Sequence, residues 1–115
     1  MTSKVLIVED EVIVGLDLAM QLEDKGFECL GPARTVEEAL ALIDETSPDF
    51  TVLDINLGDT TSAAVAEKLA ALRRPFVYVS GYAEQGVIEG MPKAPLIQKP
   101  LKFDRLTSMI GELKA

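Results

Sequence analysis

The chain has no histidine and one cysteine, Cys29. The missing histidine removes the commonest general base and the usual transition-metal ligand. A single cysteine excludes an internal disulfide and any multi-thiolate metal site. Basic residues are few, 11 against 19 acidic, for a formal net charge of −8. That balance argues against a nucleic-acid surface, which needs a basic stripe to neutralise phosphates. It suits hard cations and basic protein patches, although an acidic surface kept for solubility explains most of it equally well. Long apolar runs are also missing. The N-terminal one, Val5 to Val8, is too short for a signal-peptide core or a membrane span. No membrane association and a cytoplasmic location are therefore expected. No repeat, low-complexity stretch or linker interrupts the 115 residues, so 1–115 reads as one domain without a separate output domain. Any chemistry must come from carboxylates, Lys, Ser/Thr, Tyr or backbone.

What is present is a βα alternation. Val5-Leu6-Ile7-Val8 has the continuous β-branched character of a strand covered on both faces, and it ends on Glu9-Asp10-Glu11. A helix over about 11–25 would put Val12, Ile13, Leu16, Ala19 and Met20 on one face, against the sheet. Val14, Leu18 and Leu22 form a second stripe. It is either further core, the better reading for Leu22, or an exposed docking surface beside the acidic end for Val14 and Leu18. Gly26 ends the helix, Phe27 to Leu30 reads as a short edge strand, and Gly31-Pro32 as a turn. Thr35-Val36-Glu37-Glu38 is a capping box for a second helix with Val36, Ala39, Leu40 and Ile43 inward.

A third strand, 49–54, delivers Asp54 to its end, and a loop with Asn56 and Gly58 follows. A third helix starts near Ser62, with Val65, Leu69 and Leu72 inward, and Arg73-Arg74-Pro75 breaks it. Phe76 to Val79 is a fourth strand ending on Ser80-Gly81-Tyr82. Residues 83–90 carry Gly86 and Gly90, and each interior glycine costs roughly 1 kcal/mol against alanine, so a short or frayed fourth helix is expected. Pro95-Leu96-Ile97 is a brief fifth strand, followed by Gln98-Lys99-Pro100 and a last helix over about 101–113 through Phe103, Leu106, Ile110 and Leu113. Five βα units with short connections imply a parallel sheet, helices on both faces and right-handed crossovers.

In such a sheet the carboxyl ends of the strands share one rim, where ligands bind. Glu9, Asp10, Asp54, Asn56, Ser80 and Lys99 all fall there. Clustered carboxylates repel one another, and a hard dication such as Mg2+ relieves that. Lys99 can neutralise Asp54 or an added phosphoryl oxygen, and Ser80 can hydrogen-bond another. These are the parts of phosphoryl transfer to a carboxylate nucleophile. Singly, each has a plainer role: Glu9 and Asp10 as helix caps, Ser80 as a turn residue, Lys99 as a solvated lysine. Jointly they close different strands in the order that chemistry requires.

Val8-Glu9-Asp10-Glu11, Leu53-Asp54-Ile55-Asn56, Val79-Ser80-Gly81 and Lys99-Pro100 resemble the motifs of response-regulator receiver domains of bacterial two-component signalling, and the resemblance covers essentially the whole chain. It implies a flavodoxin-like (βα)5 fold, a doubly wound parallel five-stranded sheet of order 2-1-3-4-5. It also implies that Asp54 accepts a phosphoryl group from a phosphohistidine. Asp10 and Asp54 would bind Mg2+ by side chain, Asn56 by its backbone carbonyl and Glu9 mostly through water. Ser80 and Lys99 would hold the phosphoryl oxygens, and the Lys99–Pro100 peptide would be cis. The implied partner is a histidine kinase or phosphotransfer protein, the implied state a monomer or weak dimer, and the role signalling without turnover.

Two features depart from the usual pattern. Leu96 stands where receivers usually carry Tyr or Phe, three residues before the lysine. Pro75 to Tyr82 instead resembles a receiver subfamily marked by Phe-x-Phe-Ala-Thr-Gly-Tyr, often single-domain and paired with kinases of the HWE and related types. Tyr82 and the segment after it are then expected to take over from the missing aromatic, the alternative being a surface loop residue. Competing functions are a haloacid-dehalogenase-like phosphohydrolase and a pseudo-receiver that acts without phosphorylation. The first needs an acid where Asn56 stands, and the intact acceptor, acid pair and lysine argue against the second.

Overall fold

The computed structural model describes residues 3–58, 60–80, 90–98 and 103–114, with the side chains of 104–111 in the last helix. Strands β1 (Lys4–Val8), β2 (Glu28–Ala33), β3 (Phe50–Asp54), β6 (Phe76–Ser80) and β7 (Leu96–Gln98) form one sheet in the order β2-β1-β3-β6-β7. Every pairing in it is parallel. Two short strands, β4 (Asn56–Leu57) and β5 (Thr60–Thr61), pair separately as an antiparallel hairpin. Counting only the main sheet, the order is the expected 2-1-3-4-5. Four helices accompany it among the described residues: α1 (Val12–Asp24), α2 (Val36–Thr46), α3 (Ala63–Ala71) and α4 (Phe103–Lys114). The fourth helix expected over 83–90, Tyr82, Lys99 and the Lys99–Pro100 bond lie outside the described residues.

Strand alternation sorts the core into two layers. Leu6, Val8, Leu53 and Tyr78 point to the face covered by α2 and α3 through Ala39, Ile43, Val65 and Leu69. Val5, Ile7, Val52, Val77 and Val79 point to the other face, covered by α1 and α4 through Ala19, Leu22, Leu106 and Ile110. Burial on both faces is why these strands read as continuous apolar runs. Half of the capping box forms: Thr35 Oγ1 accepts the Glu38 N–H at 3.1 Å, while the Glu38 carboxylate accepts the N–H of Arg34, one residue before the N-cap, at 2.8 Å. No described helix is long and apolar enough to cross a membrane.

The packing face of α1 differs from the expected one. Val12, Ile13, Leu16 and Met20 are 37%, 84%, 50% and 66% exposed, while Gly15, Ala19 and Leu22 are buried. The reason is a close approach to β2. A Cβ added at Gly15 would lie 2.7 Å from the Pro32 Cβ, so only the small-residue face of the helix fits there. Of the second stripe, Leu22 is core, Leu18 is half-buried against the core and Val14 is 42% exposed.

Three smaller corrections follow from backbone geometry. β2 runs through Gly31-Pro32 to Ala33 where a turn was expected. It is an edge strand, where proline is tolerated, and its pairing with β1 shifts register between Leu6 and Val8. Gly31 there has φ +91 and is joined to Pro32 by a cis peptide. Leu72, expected inward, is 49% exposed because α3 ends at Ala71 and the chain turns at Arg73. Cys29 donates to the Ala19 carbonyl, and burial, with Glu23 nearby, pushes its thiol up to about 11, so it stays a protonated, structural thiol.

Gly15→Val gains a few tenths of a kcal/mol in helix propensity but drives two methyls into the Pro32 ring. It should destabilise the fold by about 2 kcal/mol in urea unfolding. Met20→Gln, on the exposed face of the same helix, should stay within about 0.5 kcal/mol of the parent.

Candidate functional site

The register of three adjacent strands builds the site. β1 pairs Val8 with Leu53 of β3, and β3 pairs Asp54 with Val79 of β6. Asp54 therefore ends the central strand, with Glu9 and Asp10 just beyond β1 on one side and Ser80 closing β6 on the other. Oxygens of Glu9, Asp10 and Asp54 all lie within 4.8 Å of one another. Glu9, Asp54 and Ser80 are buried and Asp10 is half-buried.

Backbone donors hold these carboxylates. Asp54 Oδ1 accepts the Asn56 N–H at 3.3 Å, and Asp10 Oδ2 accepts the Gly58 N–H at 3.0 Å. Glu9 Oε1 accepts the Glu11 N–H at 3.1 Å. Glu11, the N-cap residue of α1, makes no side-chain cap. The capping alternative for the acid triplet thus survives only as the Glu9–Glu11 contact, while Asp10 reaches across to the loop after β3.

That loop is more ordered than the sequence reading allowed. Asn56 pairs with Thr61 and Leu57 with Thr60, and Gly58 turns the hairpin at φ +69. The signal was present: a Gly-Asp pair between two short β-prone pieces is a hairpin turn pattern. The hairpin aims the Gly58 N–H at Asp10, and the Ser62 N–H donates to the Ile55 carbonyl at 2.8 Å to close its base. Asn56 is exposed beside Asp54.

Of the predicted site residues, Glu9, Asp10, Asp54, Asn56 and Ser80 gather at one rim. Lys99 and Tyr82 lie outside the described residues. Leu96 is the register partner of Tyr78 on β7. The large aromatic in that part of the core is therefore Tyr78, on the neighbouring strand. Its ring meets Phe76 edge-on at 5.3 Å, its hydroxyl donates to the Pro92 carbonyl at 2.5 Å, and burial raises its pKa. Of the Val14 and Leu18 pair, Val14 is exposed and Leu18 packs partly on the core; Val12, Ile13, Leu16 and Met20 make up the rest of the exposed apolar surface of α1. Periodicity identifies those four side chains but places them in the core.

Comparison with known proteins agrees with this arrangement. The family model of the response regulator receiver domain matches residues 5–111. The phyllosphere-induced regulator PhyR of Methylorubrum extorquens is 31% identical over 116 residues, covering 97% of this chain and 43% of PhyR, so the chain spans less than half the length of that relative. A response regulator receiver domain protein (CheY-like) from Methanospirillum hungatei JF-1 superposes with a TM-score of 0.87 at 27% identity, covering 99% of this chain and 94% of that one. The response regulator PhyR from Brucella abortus gives 0.83 at 28% identity over 98% of this chain and 48% of its own.

Crowded carboxylates raise the energy of the cation-free fold. Asp10→Asn keeps an oxygen for the Gly58 N–H and removes one charge. In buffer free of divalent cations it should raise the unfolding midpoint, because one of three like charges within 4.8 Å is removed. A lowered unfolding midpoint would show that repulsion at the rim is already relieved within the chain.

Proposed function

We propose that this chain, which belongs to the response regulator receiver domain family, takes a phosphoryl group on Asp54 from a phosphohistidine donor. The carrying observation is a buried carboxylate that ends the central strand within 4.8 Å of two others. In the transfer, an Asp54 carboxylate oxygen attacks phosphorus. The new P–O bond forms as the P–N bond of the phosphohistidine breaks, and the electron pair leaves on the imidazole nitrogen. Ser80 and Lys99 hold the phosphoryl oxygens, Ser80 from the end of the strand next to β3.

The donor set fits Mg2+: all ligands are hard oxygens, and Mg2+ commonly binds through one or two carboxylates together with phosphate oxygens. Asp10 and Asp54 would hold it by side chain, Asn56 by its backbone carbonyl and Glu9 through water. Bound there, it supplies neutralisation of the charge on the phosphoryl oxygens. The chain's own part is positional. The Asn56 and Gly58 N–H groups fix the orientation of Asp54 and Asp10, and burial of Asp54 limits access of water. Asn56 offers no acid for a leaving group, so the site serves one phosphorylation and dephosphorylation of the chain itself, and turnover of an outside substrate is not its role.

The signal passes through protein contacts. The donor is a histidine kinase, of the HWE or a related type, or a phosphotransfer protein, which sets the chain in the cytoplasm. It approaches over the exposed apolar face of α1, flanked by Val14 and adjoining the acids. The state we propose is a monomer or weak dimer.

Incubation with acetyl phosphate and Mg2+ should add the mass of one phosphoryl group to the parent protein and none to Asp54→Asn; an adduct in both, or in neither, would falsify the acceptor assignment. Chelation of Mg2+ should abolish the adduct. Ile13→Asp should slow transfer from a phosphorylated kinase at least about tenfold, the loss of one well-packed contact of about 1.4 kcal/mol, and leave labelling by acetyl phosphate unchanged. Equal slowing in both assays would assign Ile13 to the fold and not to docking.

A further inference from the structure

The opposite edge of the sheet, where β6 and β7 begin, has the reverse chemistry. There Arg73 and Arg74, at the end of α3, converge with Lys93, from the chain before β7, on a cleft of about 360 Å3. Its apolar floor includes Phe76, Ala94 and Pro95. Three of the chain's 11 basic residues thus meet at one small site in a protein of net charge −8. Among the described residues none of the three is in an ion pair; the salt bridge found there joins Lys68 to Asp44.

Favourable placement of cations at a helix C-terminus explains basic residues after α3. It does not explain Lys93, which arrives from a different segment, nor the backbone at Arg73. Arg73 has φ +56. Its N–H bonds the Ala70 carbonyl and the Arg74 N–H bonds the Leu69 carbonyl, the paired hydrogen bonds of a Schellman ending in which the left-handed position favours glycine. An arginine held there keeps a charged side chain at the cleft against the backbone's preference, and such an outlier points towards function. The walls are also fixed. The Pro75 carbonyl accepts from Thr51 N–H, the Pro95 carbonyl from Tyr78 N–H, and the Tyr78 hydroxyl pins Pro92 beside Lys93.

We infer that this cleft docks a short acidic segment of a partner protein, its carboxylates on Arg73, Arg74 and Lys93 and an apolar side chain on the floor. Nucleic acid fits less well. A long polyanion would leave the patch and run over an acidic surface, whereas a short peptide stays within the roughly 8 Å over which local charge dominates in physiological salt. The site is separate from Asp54 and does not rest on its role.

The test uses the unphosphorylated full chain and fluorescence anisotropy with two probes: a short fluorescein-labelled peptide of Asp and Glu around one Leu, and a labelled single-stranded oligodeoxynucleotide of the same charge. The peptide should bind saturably and more tightly than the oligonucleotide. Arg73→Gly and Lys93→Gln should each weaken the peptide about threefold, and together about tenfold. Arg73→Gly should also raise the unfolding midpoint, because glycine relieves the left-handed backbone. A variant that is more stable yet binds less well is a signature that a purely structural arginine would not produce. Unsaturable peptide binding, equal affinity in all variants, or tighter oligonucleotide binding would overturn the proposal.

Discussion

Three carboxylates within 4.8 Å of one another are the constraint on which the rest of this molecule depends. Such groups, two of them buried, do not gather spontaneously, because both desolvation and mutual repulsion oppose it. They are held by strands that cannot slide. β3 is hydrogen-bonded on both sides, and its side chains are buried on both faces, so a shift of one residue would invert both core layers at once. The rim is therefore as rigid as the core beneath it. The remaining freedom, the aim of the carboxylates, is removed by N–H groups of Glu11, Asn56 and Gly58, all within a few residues of the strand ends.

This also explains which parts of the structure were legible in the sequence. A strand buried on both faces must be a continuous apolar run, and in a parallel sheet its last residue lies on the shared rim, so β1, β3 and β6 and their terminal residues could be read together. The α2 boundary was legible because Thr35 and Glu38 encode it chemically. Less legible were features set by contacts between distant segments. β2 continues through Gly31-Pro32 because an edge strand tolerates an irregular register, which no local pattern states. The hairpin after β3 had a local signal in Gly58 and its neighbour, but only the structure shows that its turn supplies a donor to Asp10.

Helix α1 is the instructive failure. Val12, Ile13, Leu16 and Met20 do share one side, as 3.6-residue periodicity requires, yet that side faces out, and of the expected face only Ala19 is buried. Periodicity identifies a face and does not say what covers it. The deciding contact is between Gly15 and Pro32, where the lack of a Cβ lets the helix settle on β2 through its smallest residues. Once Gly15, Ala19 and Leu22 are inward, Ile13, Leu16 and Met20 have no place in the core. An apolar face beside an acidic rim is what a transient protein partner can use.

A parallel sheet joined by short connections has two unlike edges, and this chain uses both. All carboxyl ends meet at one edge and all amino ends at the other, so residues chosen at strand ends and strand starts are sorted by the topology without any sequence proximity. At the first edge, acids end β1 and β3. At the second, cations precede β6 and β7, on prolines whose carbonyls are tied into the sheet. Tyr78 stands between them: it shares β6 with Ser80, and its hydroxyl fixes the segment that carries Lys93. With Leu96 in the neighbouring register position, an aromatic anchored by a hydrogen bond stands beside a smaller aliphatic. That pair ties the loop before β7 to the strand that ends with Ser80 at the acidic rim, so the two edges are joined through packed side chains and the backbone of a single strand.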